Sequence, residues 1–169
     1  MFSDMLRRFV RAPAGHTTHS TALSSFTVRP IGLVHNDRTE LGPDGWLALP
    51  SRIVLFDEFR AGLDAISGFS HIIVLTWLDR VPDAERRAIA LRPEGDRYPG
   101  AVGIFALRVP ARPNPIGVTV VPLLAREGTV LHVRGLDAVD GTPVLDVKPY
   151  LPRYDSVPEA SLPDWATPD

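Results

Sequence analysis

Three stretches of the chain hold the side chains best suited to chemistry. "GFSH" ends in His71, an imidazole opening an apolar run. "GIFALRVPARPNPIG" (103–117) presents two guanidiniums, Arg108 and Arg112, followed by the alternation Pro113, Asn114, Pro115. "GLDAVDGTPVLDVKPY" (135–150) sets Asp137 and Asp140 before a glycine, then Asp146 and Lys148. Each proline fixes φ and drives the residue before it toward extended geometry. Arg112 and Asn114 are thereby kept out of helix, and the stretch becomes a stiff ramp into a strand. Such stiffness suits ligand recognition, because little ordering entropy is lost on binding; it equally suits a strand entry with no ligand. Carboxylates at Asp137 and Asp140 match ribose hydroxyls or an ammonium group, although Asp140 with Gly141 also reads as ordinary turn chemistry. Asp146 and Lys148 lie two apart, so a strand puts them on one face. As a surface ion pair they contribute less than about 1 kcal/mol. Without a ligand, His71 reads as a hydrogen-bonded core histidine and Arg108 as an exposed strand-end arginine.

The composition narrows the chemistry further. The 169 residues are 44% hydrophobic and 22% charged, enough for one domain with a real core. No uncharged apolar run reaches the length of a membrane span, about 18 residues. Cysteine is absent, which removes disulfides, zinc–thiolate sites and cysteine nucleophiles. The five histidines show no metalloprotease spacing, so no metal site is expected. The formal net charge is −2, whereas nucleic-acid binders are often basic. A polynucleotide partner would need a local cluster, for which Arg86, Arg87, Arg92, Arg97 and Arg112 are the candidates. Lys148 is the only lysine among the 18 basic residues. Arginine suits bidentate phosphate contacts, but a G- and C-rich coding sequence explains the same bias.

The elements that must position these residues are mostly strands. Runs rich in β-branched residues are expected as strands at 26–34, 51–56, 71–78, 101–109 and 116–124. The nearly all-apolar "HIIVLTWL" is the best candidate for a central one. In "REGTVLHVRGL" a turn at Glu127 and Gly128 leads into a strand whose Leu131 and Val133 face inward while His132 and Arg134 face water. Asp140–Gly141 signals a second hairpin. Short helices are expected at 57–66, capped by Asp57 and ended by Gly68, and at 83–91, capped by Asp83. Many short strands and few helices predict an all-β, mainly antiparallel barrel or sandwich. Residues 1–24 are expected as a flexible or helical extension with no secretory apolar run, 25–155 as the barrel domain, and 156–169 as an irregular tail. Neither a G-x-G-x-x-G nor a P-loop is present.

"GFSHIIVLTWL", "GIFALRVPARPNPIG" and "LDAVDGTPVLDVKPYLP" together resemble the TsaA-like proteins, the TrmO-type methyltransferases of tRNA. The resemblance extends from about Val28 to Asp155. It implies a single-sheeted antiparallel β-barrel with one or two short helices, working in the cytoplasm. It also implies S-adenosylmethionine as methyl donor, bound near a homodimer interface. The implied reaction methylates the N6 nitrogen of threonylcarbamoyladenosine beside the anticodon of tRNA. By position, the implied cofactor residues are His71 and Ile72, Arg108, Val118 through its backbone, and Asp137, Ala138, Val139 and Asp140. Arg112, Pro113, Asn114, Pro115 and Lys148 fall on the substrate side or shape the loop.

The chain departs from the family pattern at two places. The usual "ATRSP" reads "ALRVP", so Leu107 and Val109 replace hydroxyl residues. "HNDRTELGPDGWLALPSR" (35–52) lacks the "PRQ" element that longer members carry after the first strand. No part of the sequence is expected to match the additional C-terminal domain of those members. Three readings follow: methylation of the tRNA adenosine, methylation of a small molecule or another nucleoside, and a non-catalytic module that binds the cofactor. Methyl transfer needs alignment of the reactants and exclusion of water. His71 and Asp137 both suit the acceptance of an N6 proton, and the sequence singles out neither.

Overall fold

The computed structural model describes residues 26–40, 42, 45–92 and 100–166; the expected N-terminal helix and Arg97 lie outside them. The strands are β1 (Gly32–His35), β2 (Pro50–Leu55), β3 (His71–Trp77), β4 (Ala90–Leu91), β5 (Val102–Gly103), β6 (Ile116–Glu127), β7 (Val130–Arg134) and β8 (Pro143–Pro149). Six of them close a barrel in the order β1–β2–β7–β6–β3–β8, and β4 and β5 form a small separate ribbon. The paired strands of the barrel are antiparallel. The expected antiparallel barrel is therefore the fold.

Alternation of side chains fills the barrel. Ile72, Val74 and Thr76 of β3 point in, as do Leu131 and Val133 of β7, and all five are buried. Val34, Ile53, Val121 and Val144 complete the central layer with no exposed surface. Each such side chain contributes about 1.5–3 kcal/mol through burial. The twelve-residue β6 pairs with β3 up to Pro122 and with β7 from Leu123 onward. Pro122 has no N–H to donate, and it sits where the strand changes partners. Closure is uneven: β1 and β8 share two register pairs, Gly32 with Val144 and Leu33 with Pro143, whereas β3 and β6 share seven.

Several local expectations are corrected. The helix expected at 57–66 is a seven-residue 3-10 helix, Asp57–Leu63, followed by a 3-10 turn, Ile66–Gly68; it is preceded by Phe56 with no side-chain cap. The helix at 83–91 is one 3-10 turn, Glu85–Arg87, and Asp83 caps nothing. The strand at 101–109 stops at Gly103 and becomes a 3-10 turn, Ile104–Ala106. The Asp140–Gly141 turn exists, but it joins no hairpin: β8 pairs with β1 and β3 rather than with β7. Closing the barrel inserts β8 on the far side of the sheet. A one-turn α-helix, α1 (Pro152–Asp155), follows β8 and ends where the tail expected at 156–169 begins. Among the described residues, no helix is long and apolar enough to cross a membrane.

Candidate functional site

β3 and β6 end together at one rim of the barrel, where Trp77 pairs with Ile116. Past that rim the Leu78 N–H donates to the Pro115 carbonyl at 2.8 Å. Pro115 is fully buried, while Pro113 and Asn114 are exposed. The proline-rich stretch is thus clipped to the end of β3, and its stiffness holds the start of β6. Gly117, the second residue of β6, has no room for a side chain, since a Cβ there would collide with Thr76 Oγ1.

This rim and the loop between β7 and β8 wall a cavity of about 390 Å³. Arg108, Arg112, Val118, Asp137, Ala138 and Val139 all line it. Two glycines in the left-handed region bracket the loop, Gly135 at φ +83° and Gly141 at φ +80°, a conformation that a Cβ disfavours. Between them Ala138 and Val139 are buried and Asp137 is exposed. Asn36 fixes the loop from behind: its Nδ2 donates to the Ala138 carbonyl at 2.9 Å and to Ser51 Oγ at 3.1 Å. Arg80 fixes it from the front, donating to the Asp140 carbonyl at 2.9 Å and to the Thr39 carbonyl.

The cavity's chemistry is mixed. Arg80, Arg108 and Arg112 bring positive charge, Asp79 and Asp137 negative charge, and Leu78, Val81 and Ile116 an apolar surface. Arg108 donates to the Val118 carbonyl at 3.1 Å and Arg112 to the Leu107 carbonyl at 3.3 Å. A guanidinium has five N–H donors, so these bonds aim the groups without exhausting them. The volume lies in the range of small-molecule pockets, about 300–1,000 Å³. A zwitterionic ligand with an apolar body matches these walls.

The remaining sequence candidates lie elsewhere. Ile72 is sealed in the core. His71 is exposed rather than a core histidine; its Nδ1 lies 3.0 Å from Ser70 Oγ, and its ring meets Tyr150 edge-on. Both sit at the end of β3 away from the cavity, about 20 Å along a seven-residue strand. The Asp140 carboxylate points away from the cavity, accepting from the Asn36 N–H at 3.2 Å with His35 Nδ1 at 3.4 Å. Lys148 pairs with Asp146 on the outside of the barrel. Of the described arginines in the expected cluster, Arg112 reaches the cavity; Arg87 and Arg92 are exposed, and Arg86 binds the Asp79 and Val81 carbonyls.

A second cavity, of about 370 Å³, lies behind the same loop. A cross-strand row of His35, Arg52 and His132 contributes to it, each directly opposite the next in register. Among the described residues, no group of three or more His, Cys, Asp or Glu could hold a metal ion.

Sequence reasoning missed Asn36, Trp46 and Arg80. Trp46, which also lines the first cavity, lies in the stretch noted for lacking "PRQ", and an isolated tryptophan in a Gly/Pro-rich loop was the available signal. Asn36 and Arg80 act through partners distant in sequence and carry no local signature.

Comparison with known proteins gives a consistent picture. Residues 41–156 match the family model described as the tRNA-methyltransferase O N-terminal domain. A probable S-adenosyl-L-methionine-binding protein of Archaeoglobus fulgidus is 52% identical over 110 residues, covering 65% of this chain and 29% of that protein. A mouse tRNA (adenine(37)-N6)-methyltransferase is 37% identical over 109 residues, covering 64% of this chain and 25% of that protein. The crystal structure of TrmO from P. aeruginosa superposes with a TM-score of 0.67 at 28% identity, over 87% of this chain and 64% of that one. The matched region thus spans less than a third of either relative and just under two thirds of the solved chain.

Proposed function

Since the chain belongs to the tRNA-methyltransferase O N-terminal domain family, we propose that it is an S-adenosylmethionine-dependent methyltransferase that holds the cofactor in the rim cavity. Its acceptor in this reading is the N6 nitrogen of threonylcarbamoyladenosine beside the anticodon of tRNA. One observation carries the assignment: Arg108, Arg112 and Val118 converge with Asp137, Ala138 and Val139 on a single cavity. The cavity's chemistry fits the group. Arg108 and Arg112 suit its carboxylate, Asp137 its ribose hydroxyls or ammonium, and Leu78, Val81 and Ile116 keep water from its apolar parts. When bound, the sulfonium supplies an electrophilic methyl. The chain's own share is alignment and dryness. Of the two groups suited to accept the N6 proton, Asp137 lines this cavity and His71 stands at the far end of β3.

The place of His71 supports a homodimer, in which the partner's His71 would approach the cavity. An outward apolar face is available on the same strands: Ile73 and Leu75 of β3 lie opposite Val120 and Val118 of β6, and both valines are about half exposed. Sedimentation is expected to show a dimer at micromolar concentration; a fully active monomer would overturn that part.

The decisive experiment has two steps. Calorimetry is expected to show S-adenosylmethionine binding, and nucleoside mass spectrometry is expected to show loss of N6-methylated threonylcarbamoyladenosine when the gene is deleted. Unchanged methylation in a deletion strain without a sister enzyme would remove the tRNA assignment. A second reading, a cofactor-binding module without turnover, is favoured by the name of the archaeal relative, which states binding only. Transfer of a labelled methyl group to tRNA would exclude it.

A further inference from the structure

One wall of the rim cavity is aromatic. Trp46 lies between β1 and β2, half-buried, and its indole lines the cavity beside the aliphatic and charged residues already described. The indole N–H donates to the Gly42 carbonyl at 2.8 Å. The Arg38 guanidinium carbon stands 3.9 Å from the ring centroid, a cation–π contact that covers one face. Arg38 is itself held, its backbone N–H donating to Asn36 Oδ1 at 3.0 Å and its Nε to the Glu40 carbonyl at 3.1 Å. The ring therefore has a fixed attitude, a satisfied polar edge and a cation over one face.

A partly buried indole held this firmly suits a flat partner. Resting on the reading of this cavity as the methyl-transfer site, we propose that Trp46 is the stacking platform for a purine base, an adenine ring. Bases stack on aromatic side chains through their π faces, which gives affinity without demanding particular hydrogen bonds. Val81, Ile116 and Val139 of the same cavity offer aliphatic surface for the rest of the ring. An adenine ring occurs both in the cofactor and in the acceptor nucleoside, and the experiment separates them.

The probes are S-adenosylhomocysteine and the free nucleoside threonylcarbamoyladenosine, titrated into the native protein, Trp46→Ala and Trp46→Phe. Circular dichroism checks that each variant is folded. Trp46→Ala is expected to weaken one probe by about tenfold to a hundredfold. Trp46→Phe keeps a stacking ring but loses the N–H to Gly42, so it is expected to stay within about threefold of the native affinity. In the native protein the bound base is expected to quench tryptophan emission. Trp46→Phe, which retains the other two of the three tryptophans, is expected to bind without that quench. Loss for S-adenosylhomocysteine alone identifies the cofactor's adenine, and loss for the nucleoside alone identifies the acceptor's. Equal losses in the Ala and Phe variants would mean that Trp46 acts through its N–H anchor, and stacking would be wrong. Native affinity in both variants would overturn the platform and leave the cofactor assignment standing. If the native protein binds neither probe, both fall.

Discussion

The two cavities differ by about 20 Å³ in volume and share one partition, the loop between β7 and β8. Their walls are unlike. The rim cavity collects backbone turns, aliphatic side chains and three guanidiniums that already donate to carbonyls. The second is built on the outer face of the barrel, where the strand side chains His35, Arg52 and His132 stand among carboxylates. Asp140 shows the difference within one residue. Its carbonyl is tied by Arg80, which lines the rim cavity, while its carboxylate belongs to the other side. Volume does not tell the two cavities apart; preset donors do, and such donors cost little to order when a ligand arrives.

The comparison is broken most sharply at Arg108. Arg108→Ala is expected to weaken S-adenosylmethionine by roughly ten- to a hundredfold, the scale of a lost charge-assisted hydrogen bond of about 1.5–3 kcal/mol. Calorimetry showing native affinity would remove the guanidinium from the cofactor's surroundings. Asn36→Ala attacks the partition itself. It strips the buried Ala138 carbonyl and the Ser51 hydroxyl of a donor, so stability should fall by about 1–3 kcal/mol. Thermal denaturation reads that loss, and an unchanged midpoint would mean that the loop holds its shape without Asn36. The smallest effect belongs to the second cavity. Arg52→Ala is expected to leave cofactor affinity within about twofold, below the scale of any lost contact. A tenfold loss in that variant would show that the two cavities act as one.

The legible parts of the molecule were those written in local periodicity or in a rigid motif. Leu131 and Val133 alternate with His132 and Arg134, and the strand faces follow directly. Arg108 and Asp137 stood out by residue type in stretches stiffened by prolines and a glycine turn, whereas Val118, and the cofactor role of all three, came only from the family resemblance of those stretches. Helical turns were legible near Asp57 and Asp83, but their type and caps were not: the segments are 3-10, the form used for short pieces, and neither aspartate caps them. The hairpin at Asp140 misled for another reason: a turn is local, but the strand it delivers is chosen by the closure of the barrel. Asn36 lies 15 residues from Ser51 and 102 from Ala138, and no window of sequence joins them. Trp46 was visible, but only its neighbours in space turn a loop tryptophan into a cavity wall.

The two-pair contact between β1 and β8 gives the barrel a zip. Elsewhere the strands are locked along most of their length, so thermal opening should begin where Gly32 and Leu33 meet Val144 and Pro143. Locally weak contacts open ahead of global unfolding. Next to that zip runs the partition loop, held to β1 by the Gly141 N–H on the Val34 carbonyl and by the Val34 N–H on the Thr142 carbonyl. A ligand resting against Ala138 and Val139 would therefore act as the slider that keeps the zip shut. Amide hydrogen exchange at Val34 and Gly141 would register its arrival as slowing, even though neither residue touches the cavity.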